Sequence, residues 1–215
     1  MPWTSVEPDL VPDRVLTAAF AGCLPGARLA GPLLAFAAVD STQTTCRRLA
    51  AEGAPEGTVV VADYQRVGRG QGDRRWVAPP GAGLLFSCLL RPPPPVSRWP
   101  GLTLVAARAV ADGVAACAAI GPRVKWPNDV LAGERKLAGV LAEGVVGPDP
   151  SVVLGVGINV GGPPGGWPPE LEGHAVSLAE LGHPVGREPL LAAVLARLAV
   201  GYAAFLAELP EAVAG

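Results

Sequence analysis

Residues 137–160 read LAGVLAEGVVGPDPSVVLGVGINV, and this stretch decides the fold. Two apolar runs, residues 137–146 and 152–160, flank the turn Gly147-Pro148-Asp149-Pro150. Valines on both sides of a turn that contains glycine and proline are typical of a β-hairpin. We therefore expect antiparallel pairing in the sheet of this protein.

The pattern of apolar residues on either side of this hairpin predicts the other strands and helices. Short apolar runs predict further strands, at residues 33–39, 58–63, 84–90 and 123–126. Helical spacing or a helix-start signal predicts helices at residues 15–23, 42–51, 102–119 and 190–206, and a short turn of helix is expected near residues 177–181. Strands joined by hairpins, with helices grouped between them, predict an α+β domain with a mixed, largely antiparallel sheet flanked by helices.

The composition limits the possible functions. The 215 residues include 17 lysines and arginines and 19 acidic residues, and the net charge of −2 argues against general nucleic-acid binding. The longest apolar run, residues 102–120, contains Arg108 and Asp112, and no signal peptide is apparent. The four cysteines have no CxxC spacing and are expected to be buried, reduced thiols. We therefore expect a cytoplasmic protein without DNA or membrane partners.

Residues 65–76, QRVGRGQGDRRW, form the segment most indicative of chemistry. Four arginines and three glycines stand in these twelve residues, without apolar periodicity, so the segment must be a loop. Glycine lets backbone N–H groups approach an anion, and guanidinium groups bind phosphate oxygens in a fork. The spacing matches neither a Walker phosphate loop nor a dinucleotide fingerprint. The alternative is an exposed basic turn without a ligand.

Three further segments carry candidate site residues: KWPND at 125–129, RKLAGVL at 135–141 and GVGINV at 155–160. A lysine at a strand end can reach a carboxylate or a phosphate as a point charge, but a Pro-Asn-Asp surface turn after a solvated lysine is an equal alternative. Small residues within a strand indicate a backbone that runs close to a ligand, although a bulged edge strand has the same pattern.

Taken together and in this order, the segments resemble the biotin–protein ligase family. The matching positions are residues 40–42, Gln65 with residues 68–70, Arg74 and Trp76, the approach to a strand at residues 80–87, residues 125–129, residues 136–139 and residues 157–159. The resemblance covers residues 33–206 and implies a catalytic domain shared with lipoate ligases and related to class II aminoacyl-tRNA synthetases. On this basis residues 31–215 are the catalytic domain and residues 1–30 an N-terminal extension.

The resemblance also implies the reaction and the role of each residue. The family forms biotinyl-5′-AMP from biotin and ATP with Mg²⁺, and then modifies a lysine of a biotin carboxyl carrier protein. Arg69 and Lys125 are the implied catalytic cations, and no metal-binding residue is assigned. The implied biotin-binding residues are Ser41, Thr42, Gln43, Gln65, Gly68, Arg69, Gly70, Gln71, Lys125 and Gly139. The implied nucleotide-binding residues are Arg69, Arg74, Trp76, Asn128, Lys136 and Asn159.

The sequence departs from the family pattern in two respects. Gln71 stands where the family often has arginine, so one expected cation is missing from the loop. We also expect neither a DNA-binding helix-turn-helix before residue 33 nor a C-terminal barrel after Leu206. Two other functions stay open, a lipoate–protein ligase and a non-catalytic biotin-binding protein, and the protein is expected to be a monomer or a homodimer.

Overall fold

The computed structural model describes residues 12–23 and 29–209. Seven strands lie in this part of the chain: β1 (Leu33–Val39), β2 (Val59–Gln65), β3 (Gly83–Leu90), β4 (Arg123–Lys125), β5 (Asp129–Ala132), β6 (Arg135–Val145) and β7 (Ser151–Asn159). Four α-helices accompany them: α1 (Arg14–Phe20), α2 (Thr42–Ala51), α3 (Gly101–Cys117) and α4 (Arg187–Ala207).

The strands form one mixed sheet in the order β1-β2-β3-β7-β6-β5-β4. β1 and β2 are parallel, because α2 crosses between them, and each of the other pairs is antiparallel. The 137–160 stretch forms the predicted hairpin, in which β6 pairs with β7 from Ala138–Ile158 to Val145–Ser151. The α+β class and the largely antiparallel sheet are confirmed.

Both faces of the sheet are covered, but by unequal layers. The larger hydrophobic core lies between the sheet and helices α1, α3 and α4. The smaller core lies on the opposite face, where Cys46 and Leu49 of α2 pack on Phe36, Val60 and Val153. The smaller core leaves part of that face uncovered over β6 and β7, and the candidate site lies there.

The alternation of side chains along a strand determines which residues reach this uncovered face. In β7, Val152, Leu154 and Val156 point into the larger core, so Gly155 and Gly157 face the other way. In β6, Val140 points into the larger core, so Gly139, Leu141 and Glu143 lie on the uncovered face.

Most predicted elements are confirmed, and one strand was missed. No separate strand was expected at Asp129–Ala132, where β5 pairs with both β4 and β6. The short turn of helix expected near residues 177–181 is present as one hydrogen-bonded turn, in which the amide of Leu181 donates to the carbonyl of Ser177 at 3.2 Å. Of the predicted extension, residues 1–11 and 24–28 lie outside the described part, as do residues 210–215 of the tail after Leu206.

Helix α4 is long and apolar enough to cross a membrane by length and composition alone. Its buried residues, which include Leu191, Leu195 and Tyr202, pack in the larger core, and α3 is its main neighbour. The four cysteines are free thiols, and all except the half-buried Cys117 are buried.

Candidate functional site

A cavity of about 360 Å³ opens on the uncovered face of the sheet, between α2, the β6–β7 hairpin and the loop of residues 66–76, which we call the arginine loop. It brings together most of the residues predicted for the site: Ser41, Thr42, Gln43, Gln65, Arg69, Gly70, Gln71, Arg74, Trp76, Asn128, Lys136 and Gly139. Gly68, Lys125 and Asn159 lie outside this first cavity and line neighbouring ones.

The end of the cavity at the N-terminus of α2 is polar and uncharged. Ser41 caps the helix by accepting a hydrogen bond from the amide of Gln43 at 3.2 Å. The amide and the hydroxyl of Thr42 both donate to Oε1 of Gln65, at 2.8 and 3.1 Å. Because β1 and β2 are parallel, the start of α2 and the end of β2 lie at the same edge of the sheet, and their side chains meet there.

Ser87 joins this polar end, although no role was expected for it from the sequence. Its buried hydroxyl is 2.9 Å from the hydroxyl of Thr42 and 3.2 Å from Oε1 of Gln43. The side-chain nitrogen of Gln43 donates to the carbonyl of Val153 at 3.0 Å. Gln43 and Ser87 are therefore fixed in place, and this end presents an ordered set of neutral donors and acceptors.

Glycines form the floor of the cavity, and the side chains above them lie very close. A Cβ atom built on Gly157 would lie 2.4 Å from Cε2 of Trp76, and one on Gly155 would lie 2.5 Å from Oε1 of Gln43. A Cβ on Gly139 would lie 3.0 Å from Cζ3 of Trp76. The glycines are thus needed so that the indole and the amide can approach the sheet backbone.

Two of the cations that line the cavity are each held by a carboxylate. Nη1 and Nη2 of Arg69 donate to the two carboxylate oxygens of Glu143 at 2.9 and 2.7 Å. Nζ of Lys136 is 2.7 Å from Oδ1 of Asp129 and lies 5.7 Å from the centre of the Trp76 ring, within range of a cation–π interaction.

Gln71, which stands where the family often has arginine, contacts a cation of the same loop. Arg74 donates through Nη2 to the side-chain oxygen of Gln71 at 2.9 Å and through Nε to its carbonyl at 3.2 Å. Both residues line the cavity, so Gln71 holds another guanidinium there.

A second cavity of about 280 Å³ adjoins the first, and the two share Arg75, Trp76, Asp129, Lys136 and Leu171 in their walls. Lys125, a predicted catalytic residue, lines only the second cavity, together with Trp167, which lies between β7 and α4. Lys136 lies at the boundary between the two cavities. The sequence assigned Lys136 to the nucleotide alone, and its position next to both ligand spaces was not anticipated.

The two predicted asparagines hold backbone in place. Nδ2 of Asn159 donates to the carbonyls of Lys136 and Val176, at 3.3 and 3.1 Å, while the residue also lines the second cavity. Asn128 forms two hydrogen bonds with Val140. Its Nδ2 donates to the carbonyl of Val140 at 3.2 Å, and its backbone carbonyl accepts from the amide of Val140 at 2.9 Å. The Pro-Asn-Asp turn is therefore structural as well as part of the cavity wall.

Thiols do not supply a nucleophile at this site. Burial raises the pKa of the Cys88 thiol to about 12 and that of Cys46 well above its ordinary value, so both stay protonated at neutral pH. Within the described ranges, no group of three or more His, Cys, Asp or Glu residues is arranged to hold a metal ion. The site therefore offers cations and hydrogen-bond donors, which suit the binding and stabilisation of anions.

The comparisons with known proteins agree with this geometry. The sequence profile described as the Biotin/lipoate A/B protein ligase family matches residues 35–159. The bifunctional ligase/repressor BirA of Bacillus subtilis is 44% identical over 144 residues, which are 66% of this chain and 44% of the relative. The biotin–[acetyl-CoA-carboxylase] ligase of Mycobacterium tuberculosis is 42% identical over 151 residues, 68% of this chain and 54% of the relative. The chain thus spans about half the length of these relatives.

Solved structures extend the similarity to three dimensions. The biotin protein ligase from Aquifex aeolicus in complex with biotin and ATP has a TM-score of 0.70 at 34% identity, over 82% of this chain and 72% of that one. The biotin protein ligase from Leishmania major with biotinyl-5-AMP, at 23% identity and a TM-score of 0.60 over 85% of each chain, shares the fold. The profile match covers more than half of the sequence, and the chain therefore belongs to the biotin/lipoate A/B protein ligase family.

Proposed function

We propose that this protein is a biotin–protein ligase. It forms biotinyl-5′-AMP from biotin and ATP and then transfers the biotinyl group to a lysine of a biotin carboxyl carrier protein. The observation that carries the proposal is that two adjoining cavities share Lys136 and Trp76, with a neutral polar end in the first cavity and cations where the two meet.

The first cavity suits biotin in both shape and charge. The ring system of biotin carries a neutral ureido group, which needs hydrogen-bond donors and acceptors without net charge, and Thr42, Gln43 and Gln65 supply them. The aliphatic tail then runs past the edge of Trp76, whose ring lies on the glycine floor, and its carboxylate points toward Lys136. The solved ligase from Aquifex aeolicus contains biotin and ATP, in agreement with this assignment.

Fixed cations are needed because the first step brings two anions together. A biotin carboxylate oxygen attacks the α-phosphorus of ATP, the bond from that phosphorus to the bridging oxygen breaks, and pyrophosphate leaves. Two unit charges 4 Å apart repel by about 4 kcal/mol at an effective dielectric constant near 20. Lys136 at the boundary and Arg69 above the first cavity offset this repulsion, and Lys125 serves the phosphates in the second cavity.

Asp129 is the carboxylate that would hold Mg²⁺ when ATP is bound, because it lines both cavities. When bound, Mg²⁺ would neutralise phosphate charge. In the second step the neutral amine of the carrier lysine attacks the acyl carbonyl, and AMP leaves. The protein contributes mainly orientation and charge stabilisation to that step.

The unit that carries out this reaction is residues 31–215, with residues 1–30 as an extension. We place it in the cytoplasm, as a monomer or a homodimer whose macromolecular partner is the carrier protein and which needs neither DNA nor a membrane.

Mass spectrometry of a carrier domain tests the proposal. The protein is incubated with ATP, Mg²⁺, biotin and a biotin carrier domain, and pyrophosphate release is followed in parallel. The expected result is one added biotinyl group on the carrier and pyrophosphate that depends on biotin. Biotin binding without pyrophosphate would instead show a non-catalytic binding protein. Carrier modification by lipoate with no response to biotin would show a lipoate ligase.

A further inference from the structure

Glu143 lies just beyond the first cavity and binds the arginine that we assign to charge stabilisation. Its two carboxylate oxygens accept from Nη1 and Nη2 of Arg69 at 2.9 and 2.7 Å, in the paired geometry that is strongest for a guanidinium and a carboxylate. A second cation, Arg47 of α2, lies 3.9 Å from the same carboxylate. The side chain of Glu143 is only 23% exposed, so water screens the pair with Arg69 incompletely.

The position of Glu143 follows from the alternation of β6. Gly139 and Leu141 line the first cavity, and Glu143 is the next residue on the same face of the strand. It pairs across the sheet with Val153, whose carbonyl holds the side chain of Gln43. The carboxylate is therefore attached to the rigid strand pair that also fixes the polar end of the cavity.

The arginine loop has internal hydrogen bonds, and its start is bonded to the end of β1 through the amide of Arg66, which donates to the carbonyl of Val39 at 2.9 Å. The amide of Trp76 donates to the carbonyl of Gly68 at 3.1 Å, and the amide of Gly70 donates to the carbonyl of Arg74 at 2.8 Å. These bonds give the loop a hairpin shape but do not fix its distance from the sheet. The pair between Arg69 and Glu143 adds such a constraint, because it links the loop to the middle of the sheet.

We propose that Glu143 is a positioning residue, which holds the guanidinium of Arg69 at the rim of the first cavity before any ligand arrives. This proposal rests on the proposed function. A guanidinium has five N–H donors, and two of them go to Glu143, so three remain for an anion in the cavity that Arg69 lines. Glu143 does not line the cavity, so it acts through Arg69 and not by contact with substrate.

The test is a double-mutant cycle on single-turnover formation of biotinyl-AMP at saturating biotin and ATP. Glu143→Gln keeps the shape of the side chain and removes its charge, and the rate is expected to fall about 10-fold because a guanidinium without its anchor is less well oriented. Arg69→Ala is expected to lose about 10²-fold. The double variant should be no slower than Arg69→Ala, because Glu143 has no role once the guanidinium is gone.

Glu52→Gln is the matched control, since it removes the same charge from an ion pair with Arg48 at the end of α2. It should keep the wild-type rate within about two-fold, as expected for a surface pair. A wild-type rate in Glu143→Gln, or losses that multiply in the double variant, would overturn the proposal. Should Glu143→Gln fail to fold, Glu143→Asp keeps the charge with a shorter reach, and a wild-type rate in that variant would overturn it as well.

Limited trypsin digestion tests the role of Glu143 independently of the proposed ligase activity. Cleavage at the arginines of the loop should be several-fold faster in Glu143→Gln than in the wild type, and unchanged in Glu52→Gln, because the anchored loop opens less often. If the wild type forms no adenylate, the proposed function fails, while the digestion still tests the anchor. Equal cleavage of Glu143→Gln and the wild type would show that Glu143 does not hold the loop.

Discussion

Replacing Gly157 by alanine is the most direct perturbation of the cavity floor. The new Cβ would lie 2.4 Å from Cε2 of Trp76, whereas ordinary van der Waals contact begins at 3.4 Å. The sheet strand beneath is fully buried, so the indole is the group that must retreat, by about the difference of 1 Å. Trp76 lies on the arginine loop and is only half-buried, which leaves it room to move.

A displacement of this size is expected to affect catalysis more than stability. A misplacement of 1 Å in an active site can cost about 10²-fold in rate, or about 2.7 kcal/mol of transition-state stabilisation. The free energy of unfolding should fall by only about 1 kcal/mol, at the low end of overpacking costs, because the displaced ring is only half-buried. Single-turnover formation of biotinyl-AMP and urea unfolding measure the two effects.

Gly144→Ala provides a matched control on the neighbouring strand. Its Cβ would lie 3.2 Å from Cε3 of Trp99, a residue that does not line either cavity. This variant should lose a similar amount of stability and keep its rate. In a Trp76→Ala background the effect of Gly157→Ala on the rate should disappear, because no ring remains to be displaced. A wild-type rate in Gly157→Ala would refute the role of the glycine floor.

Two further predictions concern the second cavity and its border. Lys136→Ala should slow adenylate formation by about 10²-fold, whereas Lys125→Ala should mainly raise the KM for ATP, by less than about 10-fold; equal losses in steady-state kinetics would contradict the assignment. Burial raises the pKa of Glu180, but the hydrogen bonds that its carboxylate accepts from Ser177 and Trp167 lower the pKa by more than burial raises it. The pKa of Glu180 is therefore below its ordinary value. The ionised carboxylate therefore stabilises the fold above its unfolded pKa and loses that contribution as the pH falls through the lower folded pKa. Trp167→Phe, which removes one donor, should unfold at a higher pH in an acid titration, and an unchanged midpoint would contradict this.

The fold was predictable where local signals are strong. The helix start at Ser41 and the hairpin around residues 147–150 follow from capping and turn chemistry, and both are confirmed. β5 was missed because it has only four residues and its pairing register shifts between Val130 and Leu131. A strand so short, with an irregular pairing, shows no readable periodicity.

The same irregularity explains why the sequence could not rank the two lysines. Lys125 ends β4 and Lys136 lies near the start of β6, and both precede a motif of the family. Which of them reaches the first cavity depends on how β5 pairs with its neighbours, because a shift of one residue moves a side chain to the other face of the sheet. The bulge sets that pairing, and in the structure it brings Lys136 to the boundary of the two cavities.

For Glu143, the sequence pattern predicts the face of the strand on which the side chain lies but not the residue that it binds. A single acidic residue in the otherwise apolar run of residues 137–146 is unusual, and alternation already places it on the same face as Gly139. A lone carboxylate on a half-covered face predicts a cationic partner, because an unpaired charge there would be costly. The partner lies 74 residues earlier, however, on a loop without periodicity. Only the closure of that loop over the sheet identifies Arg69, so the local pattern predicts that the charge is compensated and the three-dimensional fold determines by which residue.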